Sequence, residues 1–164
     1  MADIRRIAQR DIDAVARLCA MSAAEDGERY CAMDADHLRL HAFGPHPMFE
    51  TWIAEAPIPG RPNLQPVGHA IATRGYDVRH AVATLVLAQL YVIPEVRRDG
   101  VARQLIAAVS FRAMELGARE LMITTGVENA VARRFFSAVG AKEQTMAVYV
   151  MESDEVEWLA AEAR

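Results

Sequence analysis

The feature that most constrains this chain is a strand–turn–helix–strand passage in its second half. Residues Thr84 to Ile93 are apolar on both faces, and Pro94 closes the run, so the strand they predict lies inside a sheet rather than at its rim. Gly100-Val101-Ala102 then opens a long helix in which Val101, Leu105, Ile106, Val109, Ala113 and Leu116 share one side, with Gly117 as its stop. Glu120 to Thr125 reads as the next strand. A helix joining two strands of one sheet crosses over its face, so the two strands become parallel neighbours. The class that follows is α/β with a mixed sheet.

The remaining segments fit that class. Ile4 to Ala8 predicts a first strand, and Asp11 is placed to cap a helix carrying Ile12, Val15, Ala16 and Cys19 on one face. The acidic turn Glu25-Asp26-Gly27-Glu28 ends it. Asp34 or Asp36 caps a second helix through His41, stopped by Gly44-Pro45. Met48 to Glu55 and Val67 to Thr73 predict consecutive strands. The four prolines between Ala56 and Pro66 exclude helix and central strand, so a loop is expected there. Ala130 to Val139 predicts a helix with Val131, Phe135 and Val139 aligned, Thr145 to Met151 a last strand, and Glu152 to Ala163 a terminal helix. With no repeat and no long linker, residues 1–164 are expected to form a single domain.

Composition narrows the function. The net charge of −4 argues against a nucleic-acid binder. The longest apolar run, Ala81 to Ile93, is too short for a bilayer and carries Gln89, and the first residues have no apolar leader, so a cytoplasmic protein without membrane partners is expected. Cys19 and Cys31 are the only cysteines, too few for a disulfide scaffold; Cys19 falls on an apolar helix face and reads as core.

The chemistry concentrates in Leu90-Tyr91-Val92-Ile93-Pro94-Glu95-Val96-Arg97-Arg98-Asp99-Gly100-Val101-Ala102-Arg103. A buried strand ends, a basic turn follows and a helix begins. Free N–H groups at a helix start, its dipole, a glycine without Cβ and three arginines suit a phosphate group. The same residues also describe a solvated basic turn. No GxxxxGK[ST] or GxGxxG is present, so ATP and dinucleotide sites are poor candidates.

Arg97-x-x-Gly100-x-Ala102 resembles the [Q/R]xxGx[G/A] loop by which the GNAT superfamily of N-acetyltransferases holds the pyrophosphate of acyl-CoA. Leu90-Tyr91-Val92-x-Pro94-x-x-Arg97 resembles that family's fourth strand, and Asn129 followed by Phe135-Phe136-x-x-x-Gly140-Ala141 its later N…FY…GA segment. Phe43 to Phe49, leading into Trp52 to Glu55, is similar to the diamine (spermidine/spermine-type) acetyltransferase branch. The resemblance implies a mostly antiparallel twisted sheet with a parallel splay between strands four and five, flanked by helices. It implies acetyl-CoA as co-substrate, with Leu90, Tyr91 and Val92 along the pantetheine and Arg97, Arg98, Asp99, Gly100, Val101, Ala102 and Arg103 around the pyrophosphate. Asn129, Ala132 and Phe136 would lie by the pantetheine arm. Homodimers are common in the family, so a homodimer is the default expectation.

Direct attack of a primary amine on the thioester requires the ammonium to lose a proton and the leaving thiolate to gain one. In the diamine branch a strand-four glutamate and the tyrosine of the FY pair serve these needs. This chain has Ala88 and Gln89 at the first place and Phe136 at the second, so its catalytic groups stay unassigned, with Gln89 and Tyr91 as weak candidates. Glu25, Asp26 and Glu28 lie where the family places its acceptor loop and would draw a cationic amine; a plain solvated helix end is the alternative. His37 and His41 have an i, i+4 metal spacing but no convincing third ligand, so no metal is expected. His69 faces the acceptor cleft or, by preference, is a satisfied core residue. The leading expectation is acetyl transfer to a small-molecule amine, such as a polyamine or diamine. A peptide or protein amine as acceptor and a non-catalytic acyl-CoA-binding module are the alternatives.

Overall fold

The structure is a computed structural model describing residues 1–145 and 147–163. Its elements fall into two compact units, 1–126 and 127–164.

The first unit is built on a five-stranded sheet in the order β1-β2-β3-β4-β5: β1 (Asp3–Arg6), β2 (Phe49–Ile58), β3 (Arg61–Asp77), β4 (Val82–Val92) and β5 (Leu121–Ile123). All neighbours are antiparallel except β4 and β5, which run parallel as the crossover reading required. The helix making that crossover is α3 (Val101–Glu115), which buries Val101, Leu105, Ile106, Val109 and Ala113. The predicted stripe is therefore the packed face, apart from Leu116, which lies at the C-cap and is only half-buried. The other helices are α1 (Ile12–Glu25) and α2 (Ala35–Phe43).

Strand alternation sorts the helices onto opposite faces. Ile12, Val15 and Cys19 of α1 and Leu38 of α2 pack with Phe49, Ile53 and Ile71. Glu50, an odd number of residues from Phe49 and Ile53, points the other way, where Arg112 of α3 reaches it. Glu50 is buried and accepts from Arg74 at 2.6 and 2.8 Å, from Arg112 at 2.9 Å and from Arg6. Burial pushes its carboxyl up, and the guanidiniums of Arg112, Arg74 and Arg6 more than reverse this, holding it below the ordinary range. One carboxylate thus ties β1, β3 and α3 to β2.

Three sequence expectations change. The proline-rich segment from Ala56 to Pro66 is not a loop: β2 and β3 run through it, turning at Pro59-Gly60. Here the two strands form a ribbon beyond the reach of β1, whose pairing stops at Glu55, and of β4, whose pairing begins at Gly68. Proline is tolerated because both outer edges lack ladder partners and the register shifts at Ala54/Glu55 and Ala56/Ile58. Asp11 precedes α1 without capping it; its carboxylate instead accepts from Ala8 N–H at 2.7 Å and from both terminal nitrogens of Arg5 at 2.6 and 2.9 Å. By contrast Asp34 caps α2 through the N–H groups of Asp36 and His37. The third change is in the second unit, which comprises α4 (Ala130–Ala138) and α5 (Ser153–Ala161). Of the last strand expected over 145–151, Met146 lies outside the described residues, and the described ones carry no strand.

Beneath α1, His69 is fully buried, with Nε2 at 3.0 Å from Gln89 Oε1 and 3.6 Å from Cys19 Sγ. Burial pushes its pKa down to about 4, against the support of Gln89, and pushes the Cys19 thiol up to about 12. The neutral imidazole donates from Nε2 to the amide oxygen, and Nδ1 has no hydrogen-bond partner among the described residues. A histidine with a depressed folded pKa leaves the unfolded chain binding more protons between the two values. Stability should therefore fall as pH drops from about 6.5 toward 4, by up to about 3 kcal/mol. Urea unfolding at pH 7.5, 6.5 and 5.5 should show this decline, and His69→Met should flatten it over that window.

Candidate functional site

The fourth strand is paired on one side for its whole length but on the other for only part of it. Its parallel ladder with β5 covers Leu85↔Leu121, Val86↔Met122 and Leu87↔Ile123, and then stops. From Ala88 to Val92 no described strand pairs with that edge. The opening coincides with a β-bulge: Ile71 pairs with Gln89 and Ala72 with Leu87, leaving Ala88 as the extra residue.

Alternation then decides which backbone groups face the opening. Ile93 N–H donates to Val67 O at 2.9 Å, so Ile93, Tyr91 and Gln89 direct their backbone groups at β3. Those of Leu90 and Val92 point away from it. Of the three residues expected along a pantetheine chain, Leu90 and Val92 therefore present their backbone groups, and Tyr91 does not. The Val92 carbonyl is already engaged, accepting from Arg97 Nε at 2.8 Å.

The open edge leads into the basic turn. A short 3₁₀ segment, Pro94–Val96, is followed by exposed Arg97, Arg98, Asp99 and Gly100 and then by α3. Arg98 has φ +74° and Gly100 φ +81°. Among the described residues no side chain caps α3, so the first-turn N–H groups of Val101, Ala102 and Arg103 have no side-chain acceptor there. A Cβ on Gly100 would meet nothing nearer than Gln104 Nε2 at 3.9 Å. Glycine is required here by its left-handed backbone rather than by protein crowding.

The acidic turn splits in two. The Glu25 carboxylate receives Arg97 Nη1 at 2.8 Å and Nη2 at 2.6 Å, and this pairing holds it below the ordinary carboxylate range. Asp26 and Glu28 are exposed and make no ion pair with described residues. The Arg97 guanidinium lies over the Tyr91 ring, 5.6 Å from its centroid. Tyr91 is buried and its phenol is pushed above its ordinary value, chiefly by that burial. Ala88 is exposed, and Gln89 is fixed by His69. The bulge and the His69–Gln89–Cys19 contacts have no sequence signature, because both depend on register between strands and on the docking of α1.

In the second unit, Asn129 caps α4 by accepting from Ala132 N–H at 3.0 Å, so two of the three residues expected by the pantetheine arm are bonded to each other. Phe136 lies on α4 with its ring 5.4 Å from that of Phe135. His37 and His41 stack at 6.1 Å, and His37 Nδ1 contacts Asp34 at 2.9 Å. Among the described residues, no group of three or more His, Cys, Asp and Glu side chains is placed to hold a metal ion. Nor is any described helix long and apolar enough to cross a membrane.

The sequence profile described as "Acetyltransferase (GNAT) family" matches residues 15–141, which include the bulged strand, the turn and α3. The chain belongs to the GNAT acetyltransferase family. The co-substrate of that family is acetyl-CoA. Proteins named aminoglycoside N(6')-acetyltransferase type 1 from Salmonella typhimurium and Salmonella enteritidis are each 30 % identical over 89 residues, half of this chain. The match spans 61 % of those relatives' length. Among solved structures, a probable acetyltransferase aligns with TM-score 0.75 at 20 % identity, over 92 % of this chain and 97 % of the other. An aminoglycoside acetyltransferase from an uncultured soil metagenomic sample gives 0.74 at 19 %, over 93 % and 97 %. AAC(6')-Iy in complex with CoA gives 0.66 at 22 %, over 92 % and 98 %. These structural likenesses establish the fold.

The left-handed backbone at Gly100 gives a direct check of the turn. Gly100→Val should lower stability in urea by about 1–2 kcal/mol, because a β-branched residue resists φ +81°. Gly100→Asn should cost less than half as much, since asparagine accepts the left-handed region.

Proposed function

We propose that this chain transfers the acetyl group of acetyl-CoA to a primary amine of a small molecule. The carrying observation is the unpaired edge of β4 at Leu90 and Val92, which runs into the uncapped first turn of α3. Backbone groups that a sheet would normally satisfy are left for an extended chain carrying amides, and the helix start beyond them suits its phosphates. That order of features matches pantetheine followed by pyrophosphate.

Acetyl-CoA supplies an activated thioester. The amine nitrogen forms the new C–N bond as the C–S bond breaks, the amine loses a proton and the sulfur gains one. Ala88, the neutral Gln89 and the buried Tyr91 offer no obvious base beside the open edge, so proton removal falls to solvent water in this reading. The attacking species is then the free amine, and kcat/KM rises with pH toward the acceptor's own pKa. The names of the relatives support a hydroxylated, amino-sugar type of acceptor ahead of a simple diamine. The exposed Asp26 and Glu28 suit either as a cation.

Hydrogen exchange on the intact chain tests the cofactor placement. Saturating acetyl-CoA should protect the amides of Leu90, Val92, Val101, Ala102 and Arg103, while Tyr91, already bonded toward β3, should change little. Uniform exchange with and without acetyl-CoA would reject the assignment.

Transfer itself is tested by thiol release over a panel of amino sugars, diamines and peptides. Phe136 stands where the resembled family carries its tyrosine. Slow but measurable transfer is expected, and Phe136→Tyr should raise kcat within the ~10²–10⁴-fold range of general-acid assistance, with little change in acetyl-CoA affinity. No transfer by either form, with CoA bound, would leave an acyl-CoA-binding module.

A further inference from the structure

We infer that Glu25 and Arg97 form one positioning clamp for the cofactor turn, so that Glu25 serves the acetyl-CoA side of the reaction and not the amine. This rests on the reading above that the Pro94–Arg103 turn receives the cofactor.

Arg97 is the arginine of the motif, and its charge is a natural partner for phosphate. The geometry uses it differently. Three of its N–H groups are engaged by the protein itself: Nε by Val92 O at 2.8 Å, Nη1 by Glu25 Oε1 at 2.8 Å and Nη2 by Glu25 Oε2 at 2.6 Å. The guanidinium also covers the Tyr91 ring. The side chain therefore joins the end of β4, an aromatic ring beside it and the last turn of α1, which lies 72 residues earlier. A bidentate, planar contact of this kind fixes orientation as well as distance.

What it fixes is a strained turn. Arg98 follows immediately with φ +74°, an unfavourable conformation for a residue with a Cβ, and Gly100 at φ +81° completes the entry to α3. Such backbone persists where neighbouring contacts over-determine it. The clamp supplies those contacts on the N-terminal side, and helix packing through Val101 and Leu105 supplies them on the other. Arg97 also occupies the outward-facing Val92 carbonyl, which leaves the end of the open edge presenting the Val92 N–H as a donor. The Glu25 carboxylate, lowered chiefly by its hydrogen bond with Arg97, stays charged well into mildly acidic conditions.

The sign of one substitution separates this role from simple electrostatics. Removing a negative charge beside an anion site ordinarily strengthens anion binding. If the clamp operates, Glu25→Gln weakens CoA binding, by about three- to tenfold given the partial exposure of the pair. Arg97→Lys keeps the charge but cannot make the planar fork, so it should show a similar loss. The double variant should be no worse than the weaker single one, because both changes break the same unit.

Calorimetric titration with CoA and steady-state kinetics measure these effects, with thermal melting to establish that each variant is folded. The KM for acetyl-CoA should rise while the KM for the amine stays within about twofold. Unchanged or tighter CoA binding by Glu25→Gln, a near-wild-type Arg97→Lys, or a rise confined to the amine KM would overturn the clamp while leaving the cofactor site standing. Absence of CoA binding by the wild-type chain would instead remove the underlying reading, and the clamp with it.

Discussion

A strand inside a sheet carries hydrogen-bonding groups on both edges, and each must find a partner or meet solvent. In this protein β4 satisfies its outer edge only as far as Leu87, where β5 ends. The bulge at Ala88 reorients the chain at that point, so Leu90 and Val92 direct their groups outward. Everything assigned to the cofactor follows from that shortfall. The crossover helix α3 must begin near the end of β4 to reach β5, which brings an uncapped helix start to the same place. An open edge and a helix N-terminus are thus joined by a single short turn.

Two of the arginine–carboxylate hubs in the unit around this opening lie on opposite faces of the sheet. Glu50 draws Arg6, Arg74 and Arg112 together and fixes α3 against β2. Being buried, it would be costly to leave unpaired, so the surplus of guanidiniums is a structural requirement. Arg97 and Glu25 form the second hub between α1 and the end of β4. This one is partly exposed, and its value lies in geometry more than in energy. Near it, His69, Gln89 and Cys19 make a neutral buried group under α1. That group leaves the residue next to the bulge oriented but without charge, a departure from the acid that the diamine branch carries there.

Much of the fold was legible because it rests on short-range chemistry. The apolar run before Pro94, the α3 stripe with its stop at Gly117, and the Asp34 cap all correspond to elements of the structure. The proline-rich arm was misread because proline propensity does not reveal which strand edges lack neighbours. Asp11 was misread because a cap is a competition, and Arg5 and the Ala8 N–H won it. At the site, the sequence order places the basic turn between β4 and α3, where the structure has it, but residue types alone do not show that Arg97 and Glu25 pair with each other.

The sequence by itself determined the family, the parallel pairing of β4 with β5 and the position of the basic turn before α3, because these depend on residue order, crossover length and a local glycine. Tertiary structure decided which backbone groups of β4 are open, that Glu25 belongs to Arg97 and that His69 is buried and neutral. Each of these depends on strand register or on contact between residues distant in the chain, such as the 72 positions separating Glu25 from Arg97. A one-residue bulge reverses the direction of every group beyond it, and no local pattern of residue types records that event.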